Sequence, residues 1–194
     1  MTDRVARRPH GRRSREIYGG DDVHAWAWEH VLGALEPGPE DSLLDVGCGG
    51  GVFLRRALDS GCRAAGVDHS PAMVRLARET TGGRARIVEA DVTRLPFADA
   101  EFTAVSSIVA FFFFPDPVAA LCELRRVLDP VRGRLAIYTT APEAKGTPAA
   151  PYPLATRGHF YDDAELERLP LEAGFAESQV TRVDELAQLL VARG

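Results

Sequence analysis

Lysine, cysteine, methionine and tryptophan are all scarce in this chain of 194 residues. The three cysteines form no Cys-x-x-Cys or Cys/His pattern, so the sequence predicts neither a zinc site nor a disulfide framework. No apolar run reaches the roughly 18 residues that a membrane span needs. The basic N-terminus has no apolar segment behind it, which argues against a secretory signal. We therefore expect a cytoplasmic protein with free thiols, no membrane contact and no metal.

Arginine supplies nearly all of the positive charge, and Lys145 is the single lysine. The net charge is −5, yet residues 4–15 hold six arginines and no acid. Such an arm could bind nucleic acid, or it could be a solvated tail. Arginine is common along the whole chain, and the acidic remainder would oppose a phosphate backbone. We therefore predict that residues 1–16 form a flexible arm and that nucleic acid is not the partner.

Short apolar strands alternate with helical patterns, which is typical of an α/β fold with a parallel sheet. The first strand, at 43–46, runs directly into a turn that contains Gly47, Gly49 and Gly51. A strand, a glycine-rich turn and a helix together form a cradle for a nucleotide. A dinucleotide fingerprint would need a small third residue where Val52 stands, so the NAD pattern fails by one position. The spacing that does fit is Asp-x-Gly-x-Gly-x-Gly, beginning at Asp45.

Two further strands also end in acidic residues. Asp68 closes the strand at 64–68, where a carboxylate can accept both hydroxyls of a ribose. The next helix begins with Ser70 as its N-cap and Pro71 at its first position. A third strand at 85–90 leads into Asp91.

This succession of motifs resembles the class I S-adenosylmethionine-dependent methyltransferases, of the type that acts on small molecules. Residues 45–51 resemble motif I of the family, 68–78 its "Asp-x-Ser-Pro-x-Met-Leu-x-x-Ala-Arg", and 91–102 its "Asp-x-x-x-Leu-Pro-Phe-x-Asp-x-x-Phe". The "Ala-Gly-Phe" at 173–175 also matches, and the resemblance covers roughly 41–183. Thr103 departs from the family's usual Asp, and the turn at 129–137 carries one extra residue.

The resemblance implies a Rossmann-like, doubly wound sheet of seven strands in the order 3-2-1-4-5-7-6, with strand 7 antiparallel. It implies S-adenosylmethionine as cofactor and S-adenosylhomocysteine as product. The adenine amino group is expected at Asp91 and a ring nitrogen at the backbone N–H of Val92. The whole set of predicted cofactor-binding residues is Tyr18, Asp45, Gly47, Cys48, Gly49, Gly51, Asp68, His69, Met73, Asp91, Val92 and Ser107.

The acceptor side is harder to interpret. Many family members carry a histidine after strand 4, where this chain has the run Phe111 to Phe114, whose rings cannot accept a proton. Methyl transfer needs mainly an aligned and dry nucleophile, so a base is optional. We predict that Trp26, Phe111 and Phe112 bind the acceptor, and that at least two of the four rings are core. His159 and Tyr161 are the candidates for orienting or deprotonating it.

Motifs for amino methylation of nucleic-acid bases, cytosine C5 methylation, arginine methylation and magnesium-dependent catechol methylation are all absent. The absence of these motifs favours a metal-independent enzyme that acts on O, N or C of a small, partly apolar acceptor. The alternatives are a non-catalytic relative that binds cofactor and serves as a partner or regulator, and an NAD-type oxidoreductase.

We expect a single domain over 1–194, which a second copy could complete as a homodimer. Its predicted parts are the arm, a helical cap at 17–40, a cofactor core at 41–141, an acceptor lid at 142–161, and a last helix with strands 6 and 7 at 162–194. Pro170 should bend that last helix.

Overall fold

The computed structural model describes residues 25–152 and 154–194, so the predicted arm and Tyr18 lie outside the described residues. The helices are α1 (Ala25–Leu35), α2 (Val52–Ala57), α3 (Pro71–Thr80), α4 (Pro117–Val127) and α5 (Asp163–Glu172). The strands are β1 (Ser42–Val46), β2 (Arg63–Asp68), β3 (Arg86–Glu89), β4 (Ala104–Ile108), β5 (Arg134–Thr140), β6 (Glu177–Asp184) and β7 (Ala187–Arg193).

The strands form one sheet in the order β3-β2-β1-β4-β5-β7-β6, which confirms the predicted fold. β1 to β5 are parallel, and β7 is antiparallel to both β5 and β6. Central β1 is buried along its whole length, whereas edge strand β6 alternates between exposed and half-buried residues. This contrast is expected, because helices cover both faces of a strand that has neighbours on both sides, whereas an edge strand keeps one side open to solvent.

The sheet lies between two layers of helices. Alternate residues of β1 point to opposite faces, so Leu43 packs with Val31 of α1 and Leu54 of α2. Leu44 instead belongs to the cluster that includes Leu124 of α4 and residues of α5. The carboxyl ends of β1 to β5 therefore meet at one edge, with α1 to α3 on one side and α4 and α5 on the other.

Two local features of the sequence have defined positions in the structure. Thr103, where the family usually has Asp, has its hydroxyl 2.6 Å from the Asp41 carboxylate and 3.1 Å from the Ser42 N–H. Helix α5 continues through Pro170 as far as Glu172, so the proline lies in the last turn of the helix. Within the described ranges, none of the helices has the length and apolar character to span a membrane.

Candidate functional site

The turn between β1 and α2 is a tight glycine loop. Gly47, Gly49 and Gly51 all have positive φ values, of 75°, 51° and 77°, which only glycine adopts without strain. The Gly47 N–H donates to the carbonyl of Val67 at 2.8 Å, which fixes the loop to β2. A Cβ on Gly51 would lie 2.9 Å from both Cα and Cβ of Ala77 in α3. The glycines are therefore required for the loop to pass close to its neighbours.

Asp68 joins this loop to the start of α3. Its Oδ2 accepts the Gly49 N–H at 3.0 Å, and its Oδ1 accepts the Ser70 N–H at 2.8 Å. Burial raises the pKa of Asp68, and the hydrogen bond from Ser70 and the neighbouring His69 partly offset that rise. A carboxylate fixed by backbone donors at the end of β2 can accept the hydroxyls of a ribose. The arrangement fits the nucleoside half of S-adenosylmethionine.

Asp45 lies beneath the loop rather than on its surface. It is 3% exposed, and the Ser106 hydroxyl donates to its Oδ1 at 2.8 Å. Burial raises the pKa of Asp45 to about 7, and the charge of Asp68 adds to the rise although the Ser106 bond lowers it. Asp45, which the sequence predicts to bind the cofactor, therefore lies under the loop with its carboxylate almost completely buried.

Three more of the predicted cofactor-binding residues, His69, Asp91 and Val92, follow the ends of β2 and β3. His69 is exposed, with Nδ1 3.7 Å from Asp68 Oδ1. The exposed Asp91 accepts from the N–H and the hydroxyl of Thr93, and these bonds, together with His69, lower the pKa of Asp91. The structure therefore brings Asp68, His69 and Asp91 to the same edge of the sheet.

Three predicted cofactor residues have side chains that point into the core. Cys48 faces Gly66, whose added Cβ would lie 2.9 Å from the Cys48 Sγ. Met73 is 1% exposed and Ser107 is fully buried. A ligand could meet Cys48 and Met73 only through their backbones, because apolar packing around β2 and α3 covers the side chains.

The phenylalanine run divides differently from the prediction. Phe111 has no exposed surface and packs against Tyr161 and Phe114, so it is a core residue rather than an acceptor contact. Phe112 is 4% exposed and stacks on Phe160 of the predicted lid. The half-buried rings are Phe113 and Phe114. The turn at Phe111–Phe113 buries the first two rings of the run and leaves the last two half-buried, and sequence alone could not predict this division.

His159 and Tyr161 lie together. Their rings stack with centroids 4.3 Å apart, and His159 Nε2 lies 3.2 Å from Oε1 of Glu165 on α5. Burial raises the pKa of Tyr161 to about 12, so its phenol stays neutral at physiological pH and cannot act as a general base. Sequence analysis missed Glu165, because six residues of separation across a loop and a helix start give no recognisable pattern.

These groups line a cavity of about 320 Å³. Its apolar walls come from the phenylalanine run and from α5, and its polar groups are Arg157, His159, Tyr161 and Glu165. The cavity is of the size that ligand sites occupy.

Trp26 lies elsewhere at the same edge. It is 55% exposed on α1, and its ring meets that of Tyr138 edge to face at 5.1 Å. Tyr138, which sequence analysis also missed, is 1% exposed. The structure therefore separates Trp26 from the cavity that includes Phe112 and His159 in its lining.

Comparison with known proteins agrees with this geometry. Residues 44–137 match a family model described as a methyltransferase domain. The demethylmenaquinone methyltransferase of Thermus thermophilus is 37% identical over 138 residues, which are 69% of this chain and 61% of that protein. The tRNA U34 carboxymethyltransferase of Vibrio parahaemolyticus is 30% identical over 176 residues, or 82% of this chain and 54% of that protein. The chain thus spans between half and two thirds of the length of these relatives.

A solved structure shows the same fold. One chain of the complex between the Haloferax volcanii Trm112 methyltransferase activator and a methyltransferase superposes with a TM-score of 0.79. The two chains are 23% identical, and the match covers 93% of this chain and 94% of the other. Motif I, the sheet order and these matches agree, and the chain belongs to the class I S-adenosylmethionine-dependent methyltransferases.

Proposed function

We propose that this protein binds S-adenosylmethionine and transfers its methyl group to O, N or C of a small, partly apolar acceptor. The observation that carries the proposal is the position of Asp68, whose buried carboxylate is held by backbone N–H groups of the glycine loop and of α3. The relative from Thermus thermophilus is a demethylmenaquinone methyltransferase, which supports an apolar small-molecule acceptor.

The residues of this chain have separate roles in this proposal. Asp68 accepts the ribose hydroxyls, while Asp91 and the Val92 N–H recognise the adenine. Asp45 lies under the glycine loop, and the hydrogen bond from Ser106 to Asp45 joins β4 to β1 there. When bound, S-adenosylmethionine supplies an electrophilic methyl carbon on a positively charged sulfur. The protein must then hold the acceptor in line with that carbon and exclude water, which by itself can supply a large part of the rate enhancement.

The acceptor side of the proposal needs no metal. The segment that we propose as the lid, at 142–161, contacts the turn that follows β4, where the His159 N–H donates to the Phe112 carbonyl at 2.8 Å. Phe112, Ala144 and Phe160 pack together there, so this lid is anchored at its far end. A small acceptor enclosed beneath it would be shielded from water. We further propose that the protein acts in the cytoplasm and that it can form a homodimer.

The test is calorimetric titration of the purified protein with S-adenosylmethionine, S-adenosylhomocysteine and NAD in parallel. We expect micromolar binding of the two sulfur ligands and none of NAD. Incubation with methyl-labelled S-adenosylmethionine and a panel of acceptors then measures transfer. Binding of NAD alone would identify an oxidoreductase. Binding of the sulfur ligands without transfer to any acceptor class would identify a non-catalytic, cofactor-binding relative.

A further inference from the structure

We propose that the cavity between the phenylalanine run and α5 is the acceptor site, and that it takes a flat aromatic molecule carrying a hydroxyl group. His159 removes the proton from that hydroxyl, and Glu165 positions His159. This inference rests on the proposed methyl transfer and gives it a substrate class, a reacting atom and a base.

The walls of the cavity select a flat, apolar body. Phe113 and Phe114 are half-buried and present ring surface to the cavity, and Leu169 lines it from α5. Phe113 is braced by Phe112, with ring centroids 4.5 Å apart. Aromatic rings prefer to stack or meet edge to face with other rings, so a planar ligand gains most from this lining.

Two of the polar groups that line the cavity, His159 and Glu165, can accept a proton. Tyr161 stays neutral because burial raises its pKa to about 12, and the guanidinium of Arg157 has no acceptor atom. Glu165 lies within hydrogen-bonding distance of His159 Nε2. When Nε2 donates to Glu165, the lone pair of His159 lies on Nδ1. The ring stacked on Tyr161 is held in one plane, so a hydroxyl in the cavity meets an oriented base.

The cavity is close to the cofactor cradle along the chain and in space. A Cβ on Gly47 would lie 2.6 Å from Cβ of Ala110, so Ala110 touches the glycine loop. The Phe113 N–H donates to the Ala110 carbonyl at 2.9 Å, which closes one turn between the two sites. Such a turn rises only about 2 Å per residue. One short turn therefore borders both the cradle and the cavity.

The chemical step is balanced without another reactant. The acceptor O–H bond breaks and its proton passes to His159 Nδ1. The oxygen electron pair forms the new O–CH₃ bond as the C–S bond breaks, and that bonding pair remains on sulfur in the neutral thioether product. The positive charge that leaves sulfur is then carried by the imidazolium, which the Glu165 carboxylate stabilises. The proton is later released to water.

The first experiment measures binding, independently of turnover. 2-Naphthol serves as the probe, and its fluorescence is followed during titration with protein saturated with S-adenosylhomocysteine. We expect Phe113→Ala to weaken naphthol binding about 10-fold or more, since a large apolar contact contributes roughly 1.5–3 kcal/mol, without altering affinity for S-adenosylhomocysteine. Leu171→Ala is the matched control, because Leu171 is exposed on α5 and outside the cavity lining.

The second experiment tests the base and its positioning residue by methyl transfer to 2-naphthol. We expect His159→Gln to lower kcat about 100-fold, the range for general-base removal, with KM within threefold. Glu165→Gln should lower kcat about 10-fold, and Glu167→Gln, on the same helix, should leave it unchanged. Added imidazole should partly restore His159→Ala, which a merely structural role for His159 would not allow.

The outcomes separate the two proposals. Naphthol binding that is equal in wild type and Phe113→Ala overturns the acceptor site, and a kcat of His159→Gln equal to that of wild type overturns the assignment of His159 as the base. Cofactor binding stands in both cases. Absence of S-adenosylmethionine and S-adenosylhomocysteine binding overturns the proposed function itself. If 2-naphthol and its O-methylated form, 2-methoxynaphthalene, both bind but methylation occurs only on a ring carbon, oxygen is not the reacting atom.

Discussion

The two halves of the carboxyl edge of the sheet differ in how their polar groups are satisfied. On the cofactor half, Asp45, Asp68 and Asp91 each accept hydrogen bonds from nearby N–H or hydroxyl donors. On the other half, formed by the ends of β4 and β5 and called the acceptor half below, the hydroxyl groups of Ser107, Tyr138 and Thr139 are buried without a hydrogen-bond partner in the part of the chain that the structure describes. Buried polar groups normally find partners. The cofactor half is therefore organised before any ligand arrives, whereas the acceptor half retains unused hydrogen-bonding capacity.

Asp68 gives the largest expected effect on the cofactor half. Asp68→Ala should weaken S-adenosylmethionine binding at least 100-fold, because two hydrogen bonds to a charged group are lost at roughly 1.5–3 kcal/mol each. Calorimetric titration measures the change, and Asp59→Ala, on the exposed turn after α2, is the control. If Asp68→Ala binds S-adenosylmethionine with a dissociation constant within threefold of wild type, Asp68 does not bind the ribose.

The burial of Asp45 on the cofactor half should lower the free energy of unfolding at neutral pH. Its pKa lies near 7 in the folded protein, against 3.8 as reference, so the native state holds the proton more tightly. Stability from this group is complete below about pH 4 and is lost as pH rises through 7, by at most about 4 kcal/mol. Denaturant unfolding of wild type and Asp45→Asn at several pH values measures the difference. A difference independent of pH contradicts the prediction.

Gly51 tests the packing of the loop. Gly51→Ala should lower the free energy of unfolding by about 3 kcal/mol, through left-handed backbone strain of roughly 1–2 kcal/mol and overlap with Ala77. Gly82→Ala is the matched control, because Gly82 also has positive φ but has open space around it. It should show the strain alone, as measured by thermal unfolding. Equal losses in the two variants would mean that the loop yields easily.

Thr139 gives the smallest effect and examines the acceptor half. Thr139→Val replaces a buried hydroxyl without a partner by a methyl group of similar shape, and it should stabilise the protein by about 1 kcal/mol. Thermal unfolding measures the change. A loss of stability would show that the hydroxyl is hydrogen-bonded in solution, and the contrast between the two halves would disappear.

Much of the fold was predictable from the sequence, because the evidence for it is local. Asp45 and Asp68 lie in the last two residues of their strands, with the glycines and the Ser70-Pro71 helix start close by along the chain. The spacing of these residues indicated the family, and the resemblance to the family predicted the sheet order. The contact between Gly51 and Ala77 explains in physical terms why that motif needs its last glycine. Local sequence could therefore carry the fold class and the position of the glycine loop.

The acceptor half depends on contacts between distant segments. Sequence alone could not tell that Phe111 is core and that Phe113 lines a cavity, because the choice depends on how one turn packs against Tyr161 and Phe160. Nor could it pair His159 with Glu165, which meet only after a loop returns to the start of α5. By itself, the sequence determined the fold and the glycine cradle, because backbone geometry requires particular residues at fixed spacing. Only the tertiary structure decided which side chains face the cavity, because burial is settled by neighbours that lie far apart along the chain.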